Sequence, residues 1–303
     1  MNFSDGTVRV RVPATSANLG PGYDSLGLAL DLCDELEARL APSGVTVEVA
    51  GEGAADVPLN EDHLVVRAMH ATFDALGERP GGLALRCVNR IPHARGLGSS
   101  SAAIVGGVLA ARALSTDGDA RLDDAAVLRL AAGMEGHPDN VAPCLLGGFT
   151  IAWTDEAGAQ AVRLDPAPGL RPVVFVPTQR GVTEEARGLL PDRVPHADAA
   201  ANVARTALLV YALTSDPSRL LTATEDRLHQ DYRAPAMEPT IALVRELRAG
   251  GVPAVVSGAG PTVLALVDQS RDLGGYAHGD FTMRTLTISV RGAEVRHAGT
   301  GAS

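Results

Sequence analysis

The chain contains no lysine; its 26 basic residues are all arginine. Three chemistries go with the missing residue. A Walker A loop ends on Lys before its Ser or Thr, a protein kinase sets a strand lysine against the phosphates of ATP, and a Schiff base needs an amine. Aromatic residues are scarce, 3% against 46% hydrophobic, so the core is aliphatic. The three cysteines, Cys33, Cys87 and Cys144, are widely spaced with no CxxC pair, which indicates neither a disulfide framework nor a zinc site; a reducing cytoplasm is the expected compartment. No apolar run reaches the ~18 residues of a membrane span, and the nearest, Ala199 to Leu213, holds Asn202 and Arg205. The opening MNFSDGTVRVRV lacks the apolar stretch of a signal peptide, and none is expected. The net charge of −10 argues against nucleic acid or an anionic membrane surface as partner.

What is present centres on Ile91-Pro92-His93-Ala94-Arg95-Gly96-Leu97-Gly98-Ser99-Ser100-Ser101-Ala102-Ala103. Leu83 to Val88 alternates as a strand before it, and Ala102 to Leu114 is a small-residue, buried-helix pattern after it. Glycines between a strand and a helix start let the backbone approach a ligand closely. The first amides of a helix have no intrahelical acceptor and carry the positive end of its dipole, which suits a phosphate. Three serine hydroxyls add donors, and one can ligate a divalent cation. If the loop holds a nucleotide, it does so by backbone, hydroxyl and metal.

At 303 residues the chain has room for two domains. In order, the patterns read as a strand from Thr7 to Val12, an irregular loop over Pro13 to Asp24, and a strand at Val45 to Val49. A helix follows at Leu64 to Leu76, stopped by Gly77, then one at Asp123 to Ala132. His63 and His70 read as core or surface histidines, not metal ligands, since no paired spacing exists. Met134 to Pro143 reads as a loop before the strand Gly148 to Trp153. Prolines and glycine near 166–169 suggest a domain boundary, giving 1–165 and 166–303. Helices are expected at Ala197 to Leu213, Pro217 to His229 and Glu238 to Ala249, and strands at Val162 to Leu164, Val173 to Val176, Val252 to Val256 and Val263 to Val267. Gln269 to Gly279 shows no helical spacing, and the alternation of Thr285 to Val290 offers the last strand.

PATSANLGPGYDS, IPHARGLGSSSAA and SGAGPTVLAL, in this order, resemble the three motifs of the GHMP kinase superfamily. The segment Glu135-Gly136-His137-Pro138-Asp139-Asn140-Val141-Ala142-Pro143 resembles the homoserine kinases within it, of actinobacterial type. The resemblance runs from about Val8 to Val267. It implies an α+β fold of two domains, the first like ribosomal protein S5 domain 2 and the second ferredoxin-like, with ATP and substrate meeting between them. It implies that Pro92 to Ala102 bind ATP and that Ser100 and Glu135 hold Mg²⁺. Asn18 and Asp24 would contact the amino acid, Asp24 taking the ammonium. Arg187 and Arg233 would grip the carboxylate, which a guanidinium meets bidentately. His137 and Asn140 would lie at the side-chain hydroxyl, Asn140 assisting proton loss, and Gly258 would close the site. The implied partners are L-homoserine and ATP, with a homodimer common among relatives. Two alternatives stand beside this reading: a mevalonate-type kinase, which would not need two arginines and Asp24 for a zwitterion, and a nucleotide-binding sensor without turnover.

Overall fold

The computed structural model describes residues 3–4, 6–181 and 183–298. Strand β1 (Thr7–Ala17) buries Val8, Val10 and Val12 and turns Arg9 and Arg11 to solvent, the alternation of a half-buried strand. It continues through Pro13 to Ala17, where the sequence suggested a loop. A bulge between Pro13 and Ala14 absorbs the proline, and pairing with β2 (Leu26–Ala41) resumes to Ala17 against Gly27. Strand β3 (Gly44–Gly51) leads through α1 (Leu64–Leu76) to β4 (Gly82–Asn89), which runs parallel to it. The chain then enters α2 (Ser99–Leu114), α3 (Gly118–Arg121), α4 (Asp124–Glu135) and α5 (Pro138–Leu146). Asp123 caps α4 by accepting from the Ala126 amide at 2.7 Å. Helix α5 replaces the loop read from sequence. Pro143 inside it disguises a helix that Pro138 is well suited to start. Strands β5 (Phe149–Asp155) and β6 (Gly158–Leu164) complete a hairpin on β2.

Strand β7 (Leu170–Pro177) opens a second, four-stranded sheet. Between α6 (Thr183–Gly188), α7 (His196–Thr214), α8 (Leu220–Ala223) and α9 (Glu238–Ala249) the chain returns to add β8 (Ala254–Val256), β9 (Val263–Asp268) and β10 (Phe281–Thr285), in the order β10-β7-β9-β8. The helix expected over Pro217 to His229 stops at Ala223, because the Asp226 carboxylate takes the amides of Leu228, His229 and Gln230 into a turn.

The C-terminal segment departs most from the sequence reading. The last strand of the second sheet is β10, not Thr285 to Val290, which passes back to the first sheet with Ile288 bridged to Leu30. Strand β11 (Glu294–Ala298) then pairs antiparallel with β1. Leu286 still donates to Pro172 of β7, but residues 287–298 leave the second sheet, where a boundary at 165/166 would keep them. The unpaired groups of the outer β1 edge explain the return. Strand β7 is buried on both faces. Val174 and Val176 join the main core with β1, β2 and the helices, while Val173 and Phe175 join a second core with Ile241, Leu247 and Val256. The two sheets are thus locked together, and the motif loops gather at their junction.

Candidate active site

The three motif loops are stitched by backbone and hydroxyl bonds. The amide of Thr15 donates to the Leu97 carbonyl at 3.0 Å, that of Gly258 to Ala17 at 3.1 Å, and that of Thr262 to Arg95 at 3.3 Å. Ser257 Oγ lies 2.8 Å from Ser16 Oγ and 2.6 Å from the Gly96 carbonyl, fully buried. Gly96 and Gly98 have φ of 74° and 71°; a Cβ at either would sit 2.2 Å from Ser257 O or 2.0 Å from Thr15 Oγ1. Only glycine fits both the angle and the gap. Helix α2 begins at Ser99 with no side chain capping it and no acid in its first turn, so its first-turn amides face a ligand unopposed.

Two unlike cavities meet at Ser99 and Ser100. One, of about 590 Å³ with its open mouth, is polar: Asn18, Ala94, Arg95, Gly96, Gly98, Glu135, His137, Asp139, Asn140, Arg187, Arg233 and Gly258 line it. The other, about 870 Å³ with its open mouth, is mainly apolar, with Val12, Leu36, Val57, Leu64, Val65 and Ala102 around His63, Asn89 and His93. The apolar cavity has no signature in the sequence pattern, because its walls come from β1, β2, β4, α1 and α2. His63, read as a core or surface histidine, is buried there with Nδ1 unpartnered, a polar atom left open toward the cavity that motif spacing does not reveal.

Among the sequence-predicted residues, Pro92 and Leu97 are buried beneath the loop, and His93 faces the apolar cavity. Arg95 directs its guanidinium to the carbonyls of His93, Pro177 and Thr178, so it ties the loop to β7. Glu135 Oε1 accepts from Ser100 Oγ at 2.6 Å and Ser101 Oγ at 2.9 Å. One carboxylate with a hydroxyl beside a phosphate cradle is a hard-oxygen set that suits Mg²⁺, which keeps water and phosphate oxygens for its other positions. Asn140 Oδ1 accepts from Thr15 Oγ1 at 2.7 Å, which leaves Nδ2 as the group it offers the cleft. Asn140 therefore faces the cleft as a hydrogen-bond donor and not as a proton acceptor. His137 Nδ1 lies 2.6 Å from Asp139 Oδ1, and this bond raises the imidazole above its usual range against the opposing effect of burial. Asp139, 1% exposed, was not singled out in the sequence, although it sits inside the quoted motif.

The far end of the cleft is built from Asn18, Tyr23, Asp24, Arg187, His229 and Arg233. Asn18 donates from Nδ2 to the Gly258 carbonyl at 2.8 Å and accepts from the Asp24 amide at 2.9 Å. Its amide therefore spaces two motif loops as well as lining the cleft. Arg187 grips Asp24 with both Nη atoms, at 2.9 and 3.2 Å, and donates to Tyr23 OH at 3.1 Å. Arg233 is 1% exposed and donates to the Ala186 carbonyl at 3.3 Å and the Gly258 carbonyl at 3.4 Å. His229 is neutral: burial pushes it down, Nε2–H donates to the Gly20 carbonyl at 2.8 Å, and Nδ1 accepts from Arg233 at 3.2 Å. The Arg187 and Arg233 guanidinium carbons lie 5.9 and 5.5 Å from the Tyr23 ring centroid. Neither Tyr23 nor His229 is legible as a site residue from spacing.

The model of the GHMP kinases N terminal domain matches residues 63–148. The chain is 58% identical over 295 residues to the homoserine kinase of Streptomyces avermitilis, covering 97% of each. It is 57% identical over 261 residues to that of Clavibacter michiganensis, covering 86% of this chain and 82% of that one. The crystal structure of homoserine kinase from Cytophaga hutchinsonii superposes with a TM-score of 0.83 at 25% identity, covering 98% of this chain and 99% of that one.

Proposed function

Because this chain belongs to the homoserine kinases of the GHMP kinase family, we propose that it transfers the γ-phosphoryl group of ATP to the hydroxyl of L-homoserine, giving ADP and O-phospho-L-homoserine, a step toward threonine. The observation that carries the reading is the meeting of an apolar and a polar cavity at the uncapped start of α2. The apolar cavity has the room and lining for the nucleoside, the polar one the charges for an amino acid. The phosphates then lie over the first-turn amides of α2 and the hydroxyls of Ser99 and Ser100.

Each side chain has a task of placement. Arg187 and Arg233 hold the α-carboxylate and Asp24 the α-ammonium. Asn18 keeps the Asp24 loop at a set distance from Gly258. His137, held by Asp139, and Asn140, held by Thr15, position the hydroxyl and steady the γ-phosphoryl oxygens. The hydroxyl oxygen forms a bond to Pγ as the bond to the bridging oxygen of ADP breaks, and the hydroxyl proton passes to the transferred phosphoryl group. With no lysine in the chain and Asp24 bound to the ammonium, this route needs no side-chain base. Ser100 and Glu135 would hold Mg²⁺, which neutralises phosphate charge when bound. Such chemistry is mostly positioning and electrostatics, which fits a site made of donors. A mevalonate-type acceptor would leave Asp24 without an ammonium partner. We place the enzyme in the cytoplasm; among the described residues no helix is long and apolar enough to cross a membrane.

The test is ADP release with Mg·ATP against L-homoserine, L-serine, mevalonate and galactose. Release with L-homoserine alone is expected. Turnover of another alcohol in its place would overturn the assignment, and ATP binding without any turnover would leave a sensor.

A further inference from the structure

The two residues assigned to opposite charges of the substrate are bonded to each other in the free protein. Arg187 Nη2 lies 2.9 Å from Asp24 Oδ1 and Nη1 lies 3.2 Å from Oδ2, a forked pair in which each side chain is 36% exposed. Arg233 stands beside them differently. It is 1% exposed, and no carboxylate among the described residues lies within ion-pair distance of it. The end of the cleft that would receive the α-carbon thus holds one neutralised pair and one unpaired cation.

We infer that the Asp24–Arg187 pair is a charge latch, which only a ligand carrying both an ammonium and a carboxylate opens without leaving a charge unpaired; the inference rests on the assignment of the zwitterion to these residues. A carboxylate alone can dock on Arg233, but it gains Arg187 only by taking it from Asp24 and leaving that carboxylate uncompensated. An ammonium alone must take Asp24 from Arg187, and it then strands two guanidinium groups around the Tyr23 ring. A half-buried charge deprived of its partner loses its compensation and regains little solvent. A zwitterion exchanges one internal pair for two external ones. The two substrate charges are therefore strongly non-additive. An ammonium added to a ligand that has a carboxylate improves binding, and the same ammonium added to a ligand without one impairs it. Specificity for amino acids over hydroxy acids and amino alcohols thereby resides in the bond between two binding residues, beyond the contacts each makes with substrate.

The latch is tested on wild-type enzyme and on Asp24→Asn, a change suited to the site because Asp24 has a φ of 52°, which Asn tolerates. The variant cannot hold Arg187 in a charged pair, so both arginines become free for a carboxylate. Its kcat/KM for 4-hydroxybutyrate, which is L-homoserine without the ammonium, is expected to rise about 10-fold or more, the lower end of the scale of one charged hydrogen bond. Its kcat/KM for L-homoserine is expected to fall at least about 10-fold. A fall on L-homoserine with no rise on 4-hydroxybutyrate would overturn the latch while leaving the ammonium site standing. An unchanged value on L-homoserine would overturn the ammonium assignment itself, and the latch with it. Wild type supplies a test that needs no variant: 3-amino-1-propanol should compete with L-homoserine at least 10-fold more weakly than 4-hydroxybutyrate, and more weakly than 1-propanol. Competition by 3-amino-1-propanol as strong as that by 1-propanol or 4-hydroxybutyrate would overturn the proposal.

Discussion

Replacing Arg233 by methionine probes the carboxylate site with little disturbance of packing. The unbranched thioether follows the path of the arginine stem, so the buried volume is nearly kept. Two effects on stability oppose each other. The Ala186 carbonyl and His229 Nδ1 lose a donor, at about 1–3 kcal/mol for each buried group left unsatisfied. Their bonds are long, 3.3 and 3.2 Å, which puts the loss at the lower end. The Gly258 carbonyl keeps its bond from Asn18. Against this, the protein no longer buries a cation whose guanidinium desolvation pushes down from the usual arginine range. The melting temperature should move by only a few degrees. Activity should change far more. A charged hydrogen bond contributes about 1.5–3 kcal/mol, which is roughly 10- to 150-fold in kcat/KM. Ground state and transition state share the carboxylate contact, so the loss should appear as a higher KM for L-homoserine with kcat nearly unchanged. KM for ATP should stay the same, because Arg233 lines only the polar cavity. Steady-state kinetics with each substrate varied in turn, beside a thermal melt, reads all of this. An unchanged KM for L-homoserine would refute the carboxylate assignment. An equal rise for both substrates would show that the variant distorts the whole cleft.

Four further outcomes can be measured. Gly98→Ala forces φ of 71° on an L-residue and drives Cβ against Thr15 Oγ1, so it should cost at least about 2 kcal/mol and lower kcat by releasing Asn140 from Thr15; Gly133→Ala, in α4 with nothing near its Cβ, should instead add about 0.5–1 kcal/mol in denaturant titrations. Asp34 is pushed up to about 6 from 3.8 by burial, against the amides of Arg90 and Ile91 that hold its charge. A carboxyl raised in the folded state contributes stability below its unfolded value that is lost as pH rises through about 6. Asp34→Asn should therefore gain on wild type between pH 4 and 7, by on the order of 3 kcal/mol at most; a stability difference independent of pH would refute this. Asp139→Asn removes the bond that raises His137, so the imidazolium limb of the kcat pH profile should move to lower pH, with KM for ATP unaltered.

The sequence alone determined the parts whose chemistry is local. A glycine turn between an alternating strand and a small-residue run announces a helix start, and the structure places it at Ser99. The alternation of β1, the span of α1 and its stop at Gly77 follow from nearest-neighbour geometry in the same way. Where local cues conflicted, pattern reading failed. Pro13 lies in a strand because a bulge accommodates it, Pro143 lies in a helix, and Asp226 ends one early. Tertiary structure decided what residues far apart in the chain do to each other. Asp24 meets Arg187 across 163 positions, and Asn140 meets Thr15 across 125. The apolar cavity exists only once α1 and α2 pack beside β1, β2 and β4. Strand β11 returns to β1 to cover an edge that no local pattern announces. Propensity and capping act over a few residues, whereas the partner of a charge, the walls of a cavity and the owner of a sheet edge depend on which distant segments the core brings together.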